Sequence, residues 1–193
     1  MGSLLSKADA ILSAIEALDE EYAGLVDSAV KCISVSLLAG GKALIFGNGG
    51  SAADSQHFAA ELVSSLHGAP LPSPLRALAL TTDSSILTAI GNDVDFSLVF
   101  ARQVEAMCDS GDIVIGLSTS GRSMNVLEGL RAGRHAGATT IAITGSVGLM
   151  EPLADVELRI PSTDTQVVQT LTLITLHAIC EDIEELRVLL DHA

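Results

Sequence analysis

The chain has 193 residues, of which 48% are hydrophobic and 3% aromatic, and its net charge is −14. This length suits one domain with a sizeable core. The negative charge and the scarcity of aromatic side chains argue against nucleic acids and membrane surfaces as partners, because those ligands need cationic contacts and nucleic acids also use stacking platforms. We therefore expect small molecules or other proteins as partners.

The first 40 residues predict two amphipathic helices, because apolar positions recur at helical spacing from Leu4 to about Leu38. The start of the chain lacks the features of a signal peptide, and no apolar run approaches the roughly 20 residues of a membrane span. We expect a cytoplasmic protein that is not inserted in a membrane. Its three cysteines, Cys32, Cys108 and Cys180, are then expected to be reduced core residues.

Five short apolar runs follow, separated by helical stretches. They are KALIFG (42–47), LRALAL (75–80), DIVIGLS (112–118), TTIAITG (139–145) and DVELRIP (155–161). Such alternation predicts a parallel sheet with both faces covered. The expected fold is an α/β three-layer sandwich of the flavodoxin type, in which helices flank a five-stranded parallel sheet.

The expected organisation is a single domain over residues 1–193. It comprises an N-terminal helical segment, 1–40, and an α/β core with a long C-terminal helix, 41–193. The proline-containing stretch HGAPLPSPL, 67–75, is too short to separate two domains, and we interpret it as a surface excursion. Polar stretches after the strands, "GNGGS", "TTDSS" with "GND", and "STSGRS", are interpreted as turns at the ligand-binding edge of the sheet.

The stretch GNGGSAAD follows the first strand and opens a helix. We expect Ser51 to cap this helix with Asp54 as its capping-box partner, and the free N–H groups to bind an anion. The same turn formally fits a dinucleotide fingerprint. That alternative is weak, because no acidic residue follows between Glu61 and Asp83 to hold a ribose.

A second turn, LSTSGRS at 117–123, is rich in hydroxyl groups and precedes another helix. Its side chains and N–H groups suit a phosphate at the positive end of that helix. The candidate ligands are Ser118, Thr119, Ser120 and Ser123. The alternative is an ordinary helix cap with local side-chain to backbone bonds.

Three side chains point to acid–base chemistry. His57 and Glu61 are four residues apart, so they lie on one face of the helix that begins at the glycine turn. His177, like Gln169, interrupts an apolar stretch of the last helix. The alternatives are a solvated surface pair for the first two and a core histidine bound to a backbone carbonyl for the third.

Taken together, "GNGGSAADSQHFAAEL", "LTTDSSILTAIGND", "STSGRS" and the spacing of Gln169 and His177 resemble the phosphoheptose isomerases, a branch of the SIS (sugar isomerase) domain proteins. The resemblance runs in order over nearly the whole chain. It implies conversion of sedoheptulose 7-phosphate to a glycero-manno-heptose 7-phosphate through an enediol(ate), in heptose biosynthesis. It also implies a homotetramer with shared active sites and one zinc ion in each site.

By this resemblance Glu61 is the catalytic base and His177 its acid partner. The implied metal ligands are His57, Glu61, Gln169 and His177. The implied substrate-binding residues are Asn48, Gly49, Gly50, Glu61, Asn92, Asp93, Ser118, Thr119, Ser120, Ser123 and Gln169. The chain departs from the family pattern at Ser65, where Arg is common, and at Thr170, where Glu is common.

Gln169 and His177 are eight residues apart, which on a straight helix is a rise of about 12 Å. Two such side chains can hardly meet at one zinc ion. We therefore expect the neighbouring subunit's last helix to complete the site. One alternative is that Gln169 or His177 is not a metal ligand in this chain's own site. Another is a monomer in which His177 is a core residue.

Two other functions compete with catalysis. One is a non-catalytic SIS module resembling the protein that associates with the bacterial replication initiator, which lacks the catalytic glutamate. The other is a phosphosugar-sensing domain, which is usually joined to a DNA-binding segment. Glu61 favours the enzyme over the first, and the acidic single domain argues against the second.

Overall fold

The computed structural model describes residues 2–64 and 74–191, with side chains as far as residue 186. A short 3-10 helix, Phe96–Leu98, accompanies the regular elements of this part of the chain. The helices are α1 (Ser3–Glu16), α2 (Glu20–Leu38), α3 (Gly50–Val63), α4 (Ser84–Asp93), α5 (Ala101–Met107), α6 (Met124–Ala136) and α7 (Thr165–Asp191). The strands are β1 (Ala43–Gly47), β2 (Ala77–Ala79), β3 (Ile113–Ser118), β4 (Thr139–Gly145) and β5 (Val156–Ile160).

The five strands form one parallel sheet in the order β2-β1-β3-β4-β5. Each strand lies within one of the five apolar runs, so the predicted three-layer α/β fold is confirmed. Alternate residues face opposite layers: Ile45 packs with α2, α3 and α7, whereas Phe46 packs with α5 and α6. The sheet is therefore buried on both sides, as its continuous apolar strands require.

Helix α6 lies unusually close to the sheet because it presents glycines to it. A Cβ atom added at Gly129 would be 2.6 Å from Cζ of Phe46, and one at Gly133 would be 2.8 Å from Cγ2 of Val114. Real side chains do not tolerate such distances. These glycines therefore allow the backbone of α6 to pack closely on β1 and β3.

The N-terminal helices are tied to the C-terminal helix. The hydroxyl groups of Tyr22 and Thr175 form a 2.8 Å hydrogen bond, and Lys7 forms a 2.6 Å ion pair with Asp164 at the start of α7. Buried α2 residues such as Ile33 join the same apolar cluster as α3 and α7. Helices α2, α3 and α7 thus form one layer over the sheet.

Two sequence-based expectations are wrong, and a third is largely untested. The "GND" stretch is not a turn, because Gly91, Asn92 and Asp93 form the last turn of α4. Among the cysteines only Cys180 is buried, while Cys32 and Cys108 are half-buried free thiols. Most of the stretch 67–75 lies outside the described residues. No helix in the described ranges has the length and apolar character to cross a membrane.

Candidate active site

Two loops meet at the carboxyl edge of the sheet. Strands β1 and β3 are parallel neighbours, so the loop that leads into α3 and the loop that leads into α6 leave the sheet side by side. Ligands of open α/β sheets bind at this edge. Both helix starts direct their free N–H groups and positive dipole ends there.

The glycine turn starts α3 two residues earlier than the sequence suggests. Gly49 is the N-cap residue and has φ 58°, a left-handed conformation that favours glycine. The expected cap by Ser51 is wrong, since Ser51 is buried inside the first turn and no side chain caps the helix. The N–H groups at the start of α3 are therefore not occupied by a side-chain cap.

Position 50 must be a glycine because a side chain of the last helix packs directly against it. A Cβ atom at this position would overlap the side-chain amide of Gln169, which lies directly against the start of α3. Gln169 is half-buried there. The structure thus brings Gln169 to the glycine turn, as a substrate-binding role requires.

A reciprocal pair of amides joins the two loops. Asn48 Nδ2 donates to Oδ1 of Asn125 over 2.9 Å, and Asn125 Nδ2 donates to Oδ1 of Asn48 over 2.8 Å. Asn125 is buried in the first turn of α6 and was not predicted as a site residue. The only indication of Asn125 in the sequence is that a polar residue stands where an apolar one is expected, beside the hydroxyl-rich turn.

The hydroxyl-rich turn does not act as an ordinary helix cap. Ser123 occupies the N-cap position of α6 but makes no side-chain cap bond, because its hydroxyl accepts a 3.1 Å hydrogen bond from Ser118. Ser120 Oγ accepts from the N–H of Arg122 over 3.2 Å. The carbonyl of Thr119 accepts from the N–H of Gly145 over 3.1 Å. The local-cap alternative for Ser123 is therefore not supported.

The three candidate acid–base residues come together within one chain. His57 Nε2 is 2.8 Å from His177 Nε2 and 3.5 Å from Oε1 of Glu61. The two rings meet edge to face, with centroids 5.1 Å apart. The Glu61 side chain is 17% exposed, and its Oε2 atom is buried without a hydrogen-bond partner. A buried carboxylate oxygen without a donor is available for a proton.

Helices α3 and α7 are aligned in parallel. Gln169 lies against Gly50, and His177 contacts His57, so seven residues along α3 match eight along α7. As their spacing in the sequence predicts, Gln169 and His177 lie two helical turns apart and do not meet. His177 contacts His57, and His57 is close to Glu61, within the same chain, so these three residues meet without a second chain. Completion of the site by the neighbouring subunit's last helix stays a prediction.

The expected four zinc ligands do not form one cluster. Within residues 2–64 and 74–191, no group of three or more His, Cys, Asp or Glu side chains has the geometry to hold a metal ion. The 2.8 Å between the imidazole nitrogens is shorter than the separation of about 3.3 Å of two ligands on tetrahedral zinc. A metal would have to push the two rings apart.

Asn92 and Asp93 stand apart from the other candidates. Both are exposed at the end of α4, and Asn92 Nδ2 donates to Oδ1 of Asp93 over 2.6 Å. The hydrogen bonds of the described residues do not link them to another candidate side chain. Their substrate-binding role stays a prediction.

Asp54 is a site-facing carboxylate that sequence reasoning assigned to capping. Its Oδ2 atom is buried without a hydrogen-bond partner, so the capping-box role is wrong. Burial raises the pKa of Asp54, and the charge of His57, three residues on, partly opposes that rise. The sequence signal was the spacing to His57, which places both on one helix face.

The chain is similar to proteins of one known family in both sequence and structure. The family model of the SIS domain matches residues 7–145. The chain is 47% identical to phosphoheptose isomerase from Geobacter sulfurreducens over 89% of this chain and 90% of that protein. It is 50% identical to the enzyme of the same name from Solidesulfovibrio magneticus over 83% and 78%, respectively. The structure of phosphoheptose isomerase from Neisseria gonorrhoeae superposes with a TM-score of 0.86 at 36% identity, covering 94% of this chain and 97% of that one.

Proposed function

Because the chain belongs to the SIS domain family and, within it, to the phosphoheptose isomerases, we propose that it converts sedoheptulose 7-phosphate to a glycero-manno-heptose 7-phosphate. One observation supports the proposed proton-transfer chemistry. A buried carboxylate oxygen of Glu61 without a partner lies on the helix face that carries His57, and His57 touches His177. This supplies a base on the helix that begins at the glycine turn, further along it than the anion-binding start, and an acid in contact with that helix.

The reaction moves one proton between adjacent carbons. The Glu61 carboxylate takes a proton from C1 of the ketose, and the C1–H electrons form the C1–C2 double bond of an enediol(ate). His177 gives a proton to the C2 oxygen and takes one from the C1 oxygen. Glu61 then returns its proton to C2, which yields the aldehyde at C1.

The phosphate end of the substrate is bound by the two loops. Ser118, Thr119, Ser120 and Ser123 offer hydroxyl and N–H groups at the positive end of α6. Asn48, Gly49, Gly50 and Gln169 line the sugar chain at the start of α3. We place Asn92 and Asp93 at the sugar hydroxyls on the strength of the family pattern alone.

We propose zinc as the metal of this site. His57, His177 and Glu61 would supply its nitrogen and oxygen ligands after the rings separate. Gln169 is the fourth candidate by family pattern and lies two turns from His177. A bound zinc ion would supply Lewis-acid stabilisation to substrate oxygens that gain negative charge.

The competing function is a non-catalytic SIS module that binds a protein partner or a sugar phosphate. Such a module needs the fold and the glycine turn but no base. Glu61 argues against it, because a module without catalysis has no need for a carboxylate oxygen that is buried, unpartnered and close to His57, whereas a general base does.

We further propose a cytoplasmic homotetramer in heptose biosynthesis. Large apolar side chains are exposed on the first two helices, including Leu4, Leu12, Val35 and Leu38, which are 79%, 57%, 64% and 49% exposed. Apolar surface of this kind favours association between copies. Any sharing of sites would then involve residues other than the Glu61 and His177 pair.

The test of the function is direct. Purified protein is incubated with sedoheptulose 7-phosphate in D₂O, and NMR follows the growth of the aldose signal and of deuterium at C2. Aldose formation with solvent deuterium at C2 supports the proton-transfer mechanism. Sugar phosphate binding without any aldose supports the non-catalytic alternative.

A further inference from the structure

Residues 146–150, the first part of the loop between β4 and β5, lie directly on the hydroxyl-rich turn. The N–H of Met150 donates to the carbonyl of Gly121 over 3.0 Å. Gly121 has φ 67°, and a Cβ atom there would overlap the carbonyl oxygen of Gly148. The centre of the turn that carries Ser118 to Ser123 is therefore shaped by the backbone of residues 146–150.

One carboxylate holds that loop in place. Glu157 Oε1 accepts from the N–H of Leu149 over 2.5 Å and from Oγ1 of Thr144 over 3.2 Å. Its Oε2 accepts from Arg159 over 2.7 Å. Burial raises the pKa of Glu157, but the hydrogen bonds from Arg159 and Leu149 outweigh burial and keep the pKa below its ordinary value. The carboxylate is thus charged and bound on both oxygens.

These contacts exceed those of an ordinary surface ion pair. On β5 the apolar residues Val156, Leu158 and Ile160 face the core, while Glu157 and Arg159 face the opposite side, where the loop crosses. The Arg159 guanidinium also packs on the loop, since a Cβ atom at Gly148 would lie 2.7 Å from its Cζ. Both side chains of the pair therefore touch the loop backbone.

We propose that Glu157 is a positioning residue for substrate phosphate. It holds residues 146–150 against Gly121 and so sets the donors of Ser118 to Ser123 in their binding geometry. The inference rests on the proposed function in that it takes this turn as the phosphate end of the site. Glu157 touches the loop and not the reacting carbons, so its effect falls on substrate binding and not on the proton transfer.

Graded substitutions separate this role from a general loss of stability. Glu157→Leu removes both acceptors, and we expect KM for sedoheptulose 7-phosphate to rise about tenfold while kcat stays within about twofold. Glu157→Gln keeps an oxygen for Leu149 and Thr144 and is expected to raise KM about two- to threefold. Glu105→Leu breaks the exposed Arg102–Glu105 pair, which touches no loop, and is the control expected to leave KM unchanged.

Two further measurements do not need turnover. Inorganic phosphate is titrated into the wild type and the variants with NMR detection, and amide hydrogen exchange is measured at Leu149 and Met150. We expect weaker phosphate binding and faster exchange at both amides in the order wild type, Glu157→Gln, Glu157→Leu. If Glu157→Leu does not fold, the Glu157→Gln variant carries the comparison alone.

The outcomes distinguish the two proposals. A wild type that binds phosphate but does not form aldose refutes the isomerase function, while the phosphate titration still decides the role of Glu157. Faster amide exchange with unchanged phosphate affinity shows that Glu157 is merely structural and overturns the proposal. An equal fall in kcat and kcat/KM, or a wild type that binds no phosphate, also overturns it.

Discussion

His57 and His177 lie with their Nε2 atoms 2.8 Å apart, although 120 residues separate them in the chain. The contact requires one ring to donate and the other to accept, so at least one imidazole is neutral. It fixes α7 against α3 at the level of the candidate base. The candidate acid–base residues of the two helices are therefore brought together by helix packing within one chain.

Glu61→Gln is expected to abolish isomerisation while leaving substrate binding largely intact. The amide keeps the shape of the side chain but cannot accept a proton from carbon, so the rate should fall at least about 10²-fold. Turnover is measured by NMR, and binding by calorimetry. Glu105→Gln, on the exposed face of α5, is the matched control for loss of one charge. Turnover close to wild type in Glu61→Gln would remove this residue from the mechanism.

Two substitutions of Asn125 are expected to rank differently in phosphate affinity and in protein stability. Asn125→Leu loses both bonds to Asn48 and should cost about 1–2 kcal/mol in free energy of unfolding. Asn125→Asp keeps one bond and places a negative charge at a helix start, which favours the helix but repels phosphate. We therefore expect phosphate affinity to fall from wild type to Leu to Asp, and stability from wild type to Asp to Leu.

Denaturant unfolding and phosphate titration check this pair of rankings. If affinity and stability follow the same order in the two variants, Asn125 acts only through the general stability of the fold.

Phosphate, sulfate or a sugar phosphate is expected to lie against the hydroxyl and N–H groups of Ser118 to Ser123. The uncapped start of α6 provides the positive potential for this contact. The electron density of a crystal soaked with substrate would show where the phosphate binds. A substrate phosphate bound elsewhere would contradict the assignment.

Asp112 is expected to make stability depend on pH below about pH 4. Its side chain is 3% exposed and accepts from Lys42 Nζ over 2.6 Å, Lys42 N over 2.9 Å and Asp109 N over 2.7 Å. Burial raises the pKa of Asp112, but these hydrogen bonds outweigh burial and lower it. A lowered folded-state pKa adds stability above the unfolded value of about 3.9, and that stability is lost as pH falls through the folded-state pKa.

Asp112→Ala should therefore cost about 2–4 kcal/mol at pH 7, and the difference from wild type should shrink as the pH falls below about 4. Asp109→Ala is the matched control, because Asp109 pairs with the same lysine but its side chain is 84% exposed. Its cost should stay below about 1 kcal/mol. Urea unfolding at several pH values measures both, and a pH-independent cost for Asp112→Ala would contradict the prediction.

Mixing Glu61→Gln subunits with His177→Ala subunits is expected to restore no activity. His177 contacts His57, and His57 lies near Glu61, within one chain. If each pocket takes Glu61 and His177 from one chain, every pocket in a mixed oligomer still lacks one of the two residues. Native mass spectrometry establishes the number of subunits and proves their exchange. Recovery of activity would show that the pair is drawn from two chains.

The sequence was sufficient for the sheet and for the acid–base face of α3. Buried parallel strands leave continuous apolar runs, and a spacing of four residues fixes His57 and Glu61 on one face. Helix ends were less predictable. Asn92 and Asp93 suit turns and helix ends alike, and a glycine with positive φ displaced Ser51 from the cap position.

Long-range partners were beyond the sequence. Asn125 contacts Asn48, and Glu157 contacts the backbone of Leu149. Neither contact has a local pattern in the sequence. The contact between His177 and His57 depends on how α7 is oriented against α3. The spacing of residues within either helix does not define that orientation. The single-chain position of His177 could therefore be established only from the packed helices.

An open sheet has two free edges, and each can recruit a strand from another molecule. Here β2 at one edge has only three residues, and β5 at the other carries the charged Glu157–Arg159 pair. A short strand and an ion-paired strand are both poor templates for intermolecular β-pairing. We therefore expect the charges on β5 to oppose aggregation through this edge at high concentration, whatever substrate the pocket holds.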